Sequence, residues 1–419
     1  MGGFGVWLRG LFRGEGQPDP HPLSPHARSQ PGGRESFAEA NNNFGLALYD
    51  QLRQRPGNLF FSPFSIRTAL GMAEAGARGE TAAQLREVLR LASSDESLHV
   101  AFAEIIQQLN AAGGGNYEIA VANSLWGQDG APLQPGFLDR IARHYGGRMN
   151  LVDFRRSAEA ARTSMNQWVE DQTRQKIRAL IPPDGLNADT RLVLVNAVYF
   201  KGMWMLQFPK SATRDEPFHL EDGRKVRVPL MHQSDEVRYL QTAGCQAVEL
   251  DYRGGHLSML VLLPDRKDGL RDLEKTLSAR MLHQCITQMA VREVKLFLPR
   301  FTITWGTVDM CGPLAAVGMP LPFNRTQADF SGINGHRPPH EEALFISAVL
   351  HQALVDVNEE GTEAAAATAV GVAPTAAPRS KRRAVPTFRA DHPFLFAIRD
   401  QRSGATLFLG RVADPTTAR

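Results

Sequence analysis

The sequence predicts an α+β chain with large, mostly antiparallel sheets, and three observations carry that prediction. Helical periodicity is concentrated in the first part of the chain, strand-like runs dominate from Arg191 onward, and there is no internal repeat. The 419 residues are 43% hydrophobic and 22% charged, enough apolar material for one large domain or two ordinary ones. A formal charge of +3 is close to balance at this length and gives no argument for a nucleic-acid partner.

Taken in order, residues 1–35 are rich in Gly, Pro and Arg and read as a disordered tail ahead of a single domain over 36–419. GFGVWLRGLF at 3–12 is apolar but broken by Arg9, too short for the core of a signal peptide. No later segment is long enough to span a membrane. ESFAEANNNFGLALYDQLRQR has helical spacing through Phe44, Leu48 and Leu52. The short apolar run NLFF meets Ser62-Pro63, where Ser can cap and Pro can open a helix. TAAQLREVLRL and SLHVAFAEIIQQLNAA continue as helices, GNYEIAVANSLWG alternates as a strand, and 159–181 is helical with Trp168 and Val169 on its apolar face. RLVLVNAVYFKGMW is apolar without alternation, so it is a strand buried on both faces. FHLEDGRKVRVPLM, QAVELDY, LSMLVLLP and EVKLFLPRFTI read as strands around a helical GLRDLEKTLSARMLHQCITQM, and ALFISAVLHQALVDV, HPFLFAIRD and ATLFLGRVA complete them.

Motifs for chemistry are scarce. No nucleophile elbow, P-loop, HExxH or dinucleotide fingerprint is present. Cys245, Cys285 and Cys311 are widely separated, without metal spacing or a disulfide framework, so neither metal nor cofactor is expected. Asn324-Arg325-Thr326 fits a glycosylation triplet. A serine hydrolase built from Ser62 or Ser65 with His351 is conceivable, but these serines lack the flanking glycines of an elbow and fit a structural role better.

The unusual stretch is EEGTEAAAATA at 359–369, followed by a Pro-containing run up to HPFLF. About 30 residues, 359–388, thus join two strands without evident structure, and loops this long in compact domains are usually functional or disordered. An inert linker is one reading. Against it stands a period of two: Thr362, Ala364, Ala366 and Thr368 share one side of an extended chain, all small and uncharged. Such a segment can slide into a sheet without burying a charge, and Gly361 suits the backbone rotation this requires.

From Ser36 to Pro415 the chain resembles the serpins. The resemblance is carried in order by NLFFSPFSI, by MNQWVEDQTRQKIRALIPPDGLNADTRLVLVNAVYFKGMW, by LFLPRF and ADFSGI, by ISAVLHQALVDVNEEGTEAAAAT and by ADHPFLFAI. It implies three sheets with about nine helices, an exposed reactive loop and no catalytic residue of its own. It also implies suicide inhibition. A target serine protease forms an acyl-enzyme on the loop, and the cut loop then inserts into the large sheet and distorts the protease. Cysteine proteases come with the family as further targets, and a monomer is expected. By resemblance Ser62, Ser65, Asn196 and His351 form a polar shutter under the sheet, Trp204 sits at the breach where the loop enters, and Glu359 anchors the hinge of Gly361, Thr362, Ala364 and Ala366.

The family's usual count places the scissile bond at Thr375-Ala376, in VAPT-AAP, which suits an elastase-like or subtilisin-like pocket. A rival lies in the basic run of Arg379, Ser380, Lys381, Arg382 and Arg383, which suits trypsin-like or furin-like enzymes. Counting back from ADHPF, as in intracellular members, lands near Arg379-Ser380 or Ser380-Lys381, and the two counts disagree because this loop is about five residues longer than theirs. A cut at Thr375 leaves a tether of about 46 Å, whereas one at Arg382 leaves about 70 Å and therefore slack. Inhibition at Thr375 and substrate-like cleavage in the basic run follow. Carrier or chaperone members of the family tend to have charged or bulky hinge residues, unlike this chain. SLHVAFAEIIQQLN lacks a basic face for a heparin-type cofactor. The resemblance suggests the extracellular space, and the lack of a convincing leader the cytoplasm if Met1 is the true start.

Overall fold

In the computed structural model the described residues are 37–91, 99–100, 102–107, 117–130, 132–146, 148–362 and 384–417. The tail and residues 363–383 of the expected loop, including Ala364, Ala366, Thr375, Ala376, Arg379, Ser380, Arg382 and Arg383, lie outside them. Glu35–Arg419 forms one compact unit.

The strands run, in chain order, β1 (Leu59–Phe61), β2 (Tyr117–Gln128), β3 (Met149–Val152), β4 (Leu192–Met203), β5 (Arg214–His219), β6 (Lys225–Gln241), β7 (Cys245–Asp251), β8 (Leu257–Pro264), β9 (Ala290–Pro299), β10 (Phe301–Asp309), β11 (Ile346–Val357), β12 (Gly361–Thr362), β13 (Thr387–Arg389), β14 (Phe394–Asp400) and β15 (Thr406–Val412). The helices are α1 (Phe37–Leu52), α2 (Pro63–Glu74), α3 (Gly79–Leu89), α4 (102–107), α5 (Pro135–Tyr145), α6 (Phe154–Gln172), α7 (Leu270–Thr276), α8 (Ala279–Gln288), α9 (Cys311–Val317) and α10 (Ser331–Asn334). None of the described helices is long and apolar enough to cross a membrane.

The α+β class with mostly antiparallel pairing holds. Among the described residues the ladders join into two sheets rather than three, one of six strands (β10-β11-β12-β4-β2-β3) and one of nine. The reason is β6. Its first half pairs with β5, its end pairs with β7, and β9 follows it over ten residues, so one ladder bridges what would otherwise be separate layers. β4 is buried along nearly its whole length, as an apolar run without alternation requires. Its even-numbered apolar residues Leu192, Leu194, Val198 and Phe200 face the main core shared with α1, α2 and the larger sheet. Val193, Val195 and Ala197 face Phe154, Met165 and Val169 of α6.

Two local expectations change. The helix expected over 159–181 starts at Phe154, capped by Asp153 accepting from the Arg156 N–H, and stops at Gln172. Arg174 and Gln175 have positive φ, and the Asn166 side chain satisfies the Ile181 backbone in both directions, which ends the helix. The run EVKLFLPRFTI is not one strand. It breaks at Arg300, with β9 in the larger sheet and β10 in the smaller.

Candidate functional site

The site is built where β11 leaves β4. These two strands pair in parallel from Ile346↔Leu192 to Val355↔Phe200. Past Val357 the chain turns through Asn358–Gly361, closed by Asn358 N–H to Gly361 O (2.8 Å) and Gly361 N–H to Asn358 O (3.2 Å). It comes back as β12, antiparallel to both neighbours: Thr362 pairs with Val357 and with Gly202, and Gly361 with Met203. The opening residues of EEGTEAAAATA are therefore already wedged between the two central strands.

Gly361 is required there. Its φ is +152°, and a Cβ would stand 2.1 Å from the Gly202 carbonyl oxygen. Thr362 is fully buried, and its hydroxyl meets the Tyr252 hydroxyl at 2.9 Å. Tyr252 stacks on Trp204, with ring centroids 4.6 Å apart. Trp204 clamps the turn twice, donating its backbone N–H to Glu360 O (2.9 Å) and its indole N–H to Asn358 O (3.0 Å). Phe208 N–H donates to Glu359 O (2.9 Å). The Glu359 carboxylate accepts from Thr213 Oγ1 (2.7 Å) and Arg300 Nη2 (2.5 Å), and Lys210 pairs with Glu360. Burial alone would raise the Glu359 pKa, but the Arg300 and Thr213 hydrogen bonds outweigh it and hold the carboxyl below its ordinary value.

Further down the same pair of strands, Asn196 and His351 are register partners. The Asn196 amide donates to Ser65 Oγ (2.5 Å) and to Asn123 Oδ1, and its carbonyl oxygen accepts from His351 Nδ1. Ser65 Oγ donates to Asn123 Oδ1 (3.0 Å). Ser62 caps α2 by accepting from the Ser65 N–H and donates its hydroxyl to Leu407 O (2.7 Å). His351 Nε2 accepts the Ser62 backbone N–H at 3.3 Å, so the proton sits on Nδ1 and the ring is neutral. Complete burial lowers its pKa to about 3. This geometry is no hydrolase. The Ser62 hydroxyl points to a carbonyl rather than to the imidazole, and Ser62, Ser65 and His351 are all closed off from solvent.

The structure thus brings together the predicted Ser62, Ser65, Asn196 and His351 in one cluster, and Trp204, Glu359, Gly361 and Thr362 in another. The sequence reading missed Asn123, Tyr252, Thr213 and Arg300. Asn123 had a signal: it is a polar residue inside the apolar run of β2, and it pairs directly with Asn196.

Residues 39–415 match the sequence profile of the family described as "Serpin (serine protease inhibitor)". The chain is a serpin. Among its relatives, the human leukocyte elastase inhibitor is 39% identical over 391 residues, covering 91% of this serpin and all of that protein. An uncharacterized serpin-like protein from Thermococcus kodakarensis is 38% identical, covering 92% and 87%. Among solved structures, uncleaved ovalbumin superposes with a TM-score of 0.80 at 29% identity, covering 91% of this serpin and all of that chain. Serpin48 of the insect Tenebrio molitor, titled a highly specific serpin, gives 0.79 at 32%, covering 90% and 98%.

Proposed function

We propose that this serpin is a suicide inhibitor of an elastase-like or subtilisin-like serine protease, attacked at Thr375-Ala376. The observation that carries the reading is β12, the start of a new central strand already in antiparallel register with both neighbours. Continuing that register puts Ala364 between Val355 and Phe200, Ala366 between Ala353 and Val198, and Thr368 between His351 and Asn196. These three share the face of Thr362, toward the main core, where the flanking residues are buried. Small uncharged side chains are what such a slot accepts.

The energetics favour insertion once the loop is cut. At present β11 and β4 satisfy each other through one parallel ladder. An inserted strand replaces it with two antiparallel ladders, each backbone hydrogen bond contributing about 1 kcal/mol net. In the proposed reaction the protease serine oxygen bonds to the Thr375 carbonyl carbon and the amine of Ala376 leaves. Residues 363–375 then follow Gly361 and Thr362 into the sheet, carrying the ester and the protease with them. Displacement of the nucleophile from its base and oxyanion hole stalls hydrolysis. In this reading Asn196, His351, Ser62 and Ser65 are the gate that the strand passes, Trp204 and Glu359 hold its entrance, and none is catalytic. The name of the human relative supports an elastase-type target.

The basic run 379–383 supports a second reading, a trypsin-like or furin-like target; cysteine proteases are a further class to assay. The test is to incubate the purified protein separately with an elastase, a subtilisin, trypsin, a furin-type protease and a papain-type protease. Complexes resistant to SDS and the mass of the released peptide are read. A complex with elastase or subtilisin and a peptide beginning at Ala376 supports the proposal. A complex whose peptide begins after Arg379, Arg382 or Arg383 replaces it with the second reading. Cleavage without any complex refutes inhibition altogether.

A further inference from the structure

A cavity of about 430 Å³ lies where the C-terminal end of α2, the N-terminal end of α5 and α10 come together, and it shares no lining residue with the hinge or the shutter. Arg78, Arg140 and Arg337 line it with Gln134 and Ser331, and no carboxylate is among its lining residues. Arg78 Nη1 donates to Ala77 O (2.7 Å) and to Ala75 O (3.4 Å), and Arg140 Nη1 donates to the same Ala75 O (3.3 Å). Two guanidiniums therefore converge on one carbonyl, the C-cap of α2. The partial negative charge of a helix end does not neutralise two full cations, and each guanidinium has five N–H donors to place.

Asp329 stands 3.8 Å from Arg337 Nε and takes the Ser331 N–H on its other oxygen. Gly332 makes room for Arg78: a Cβ there would lie 2.4 Å from the guanidinium carbon. Gln134, the N-cap of α5, makes no side-chain capping bond. A second arginine-lined cavity in this molecule, with Arg155, Arg191 and Arg325, shows the contrast, because a carboxylate, Glu341, is part of its own lining. Glu342 also lies 2.8 Å from Arg155 and Asp189 lies 3.0 Å from Arg325, so acids of the protein stand against its arginines.

We propose that the cavity of Arg78, Arg140 and Arg337 binds a tetrahedral oxyanion, a phosphate or sulfate group. Arg140, half-buried, grips it from the protein side through charge-assisted hydrogen bonds, and Arg78 and Arg337, both exposed, close on it from the solvent side. The group comes either as a free anion or as an ester on a sugar.

Isothermal titration of the full chain separates these cases, using inorganic phosphate and, in parallel, a sulfated disaccharide, both against chloride at matched ionic strength. Saturable binding of phosphate alone identifies a free-anion site, and tighter binding of the disaccharide identifies an ester site. In either case the pair Arg140→Gln with Arg337→Gln weakens binding at least tenfold, and Arg325→Gln in the other cavity leaves it unchanged. If the double variant does not fold, Arg337→Gln alone lowers affinity at least threefold. No saturable binding of either probe, unchanged affinity in the Arg140 and Arg337 variants, or loss of binding in Arg325→Gln overturns the proposal.

Discussion

Replacing Ala366 by Arg tests the insertion register most directly. In that register Ala366 lies between Ala353 and Val198, which are 0% and 1% exposed, with its side chain toward the main core. Both flanking residues are apolar, so nothing at this level offers the guanidinium a counter-charge. Leaving an unpaired charge buried costs about 4 kcal/mol. If the barrier to insertion carries that cost, insertion slows about a thousandfold at 1.36 kcal/mol per decade. Attack on Thr375 is untouched, because Ala366 is nine residues upstream of the proposed bond. Hydrolysis of the acyl-enzyme then outruns insertion and the variant becomes a substrate. The assay is titration against elastase, reading residual activity together with the SDS-resistant complex and the cleaved product. Ala366→Ser, small and uncharged, should keep most of the complex. An Ala366→Arg protein that forms the complex with unchanged stoichiometry would refute both the register and the face assigned to this residue.

Three other outcomes are expected. His351 is neutral and buried with a pKa lowered to about 3, so the unfolded chain binds a proton that the folded one excludes as pH falls below 6.5. Stability should drop by about 1.4 kcal/mol per pH unit between pH 6.5 and 3 relative to a His351→Gln variant, and urea unfolding that shows parallel pH profiles would contradict this. Glu359→Gln removes the charge that holds Arg300 and Thr213, and should cost about 2 kcal/mol at neutral pH. Because the Glu359 pKa is lowered, that difference should shrink as pH falls below the ordinary carboxylate range, which thermal melts at pH 7 and pH 4 will check. Gly361→Ala cannot keep its Cβ 2.1 Å from the Gly202 oxygen, so the hinge should leave the sheet, and hydrogen exchange at Gly202 and Thr362 should speed up at least tenfold.

Much of this protein is written locally. The unbroken apolar run of β4 states that it is central, Ser62-Pro63 states where α2 begins, and the small residues after Glu359 are the local signal behind the proposed insertion. Each reading depends on residues within a few positions of one another, the range over which side-chain periodicity and capping act. The two sheets are a different matter. EVKLFLPRFTI has one continuous pattern, yet Arg300 separates strands that belong to different layers, because the partners that sort them, β6 and β11, are far away in sequence. The same holds at the site. Asn123 joins Asn196 across 73 residues, and Arg300 reaches Glu359 across 59.

By itself, then, the sequence determined the α+β class and, through its ordered motifs, the serpin family, and it singled out Ser62, Ser65, Asn196, His351 and Gly361, to which the proposed function gives the gate and the hinge. Only the tertiary structure decided that Thr362 already lies between β11 and β4, that His351 is held neutral by the Ser62 N–H, and that Arg78 and Arg140 share one carbonyl. Hydrogen bonds and charges are settled by whichever groups meet in space, and the chain brings those groups together only by folding.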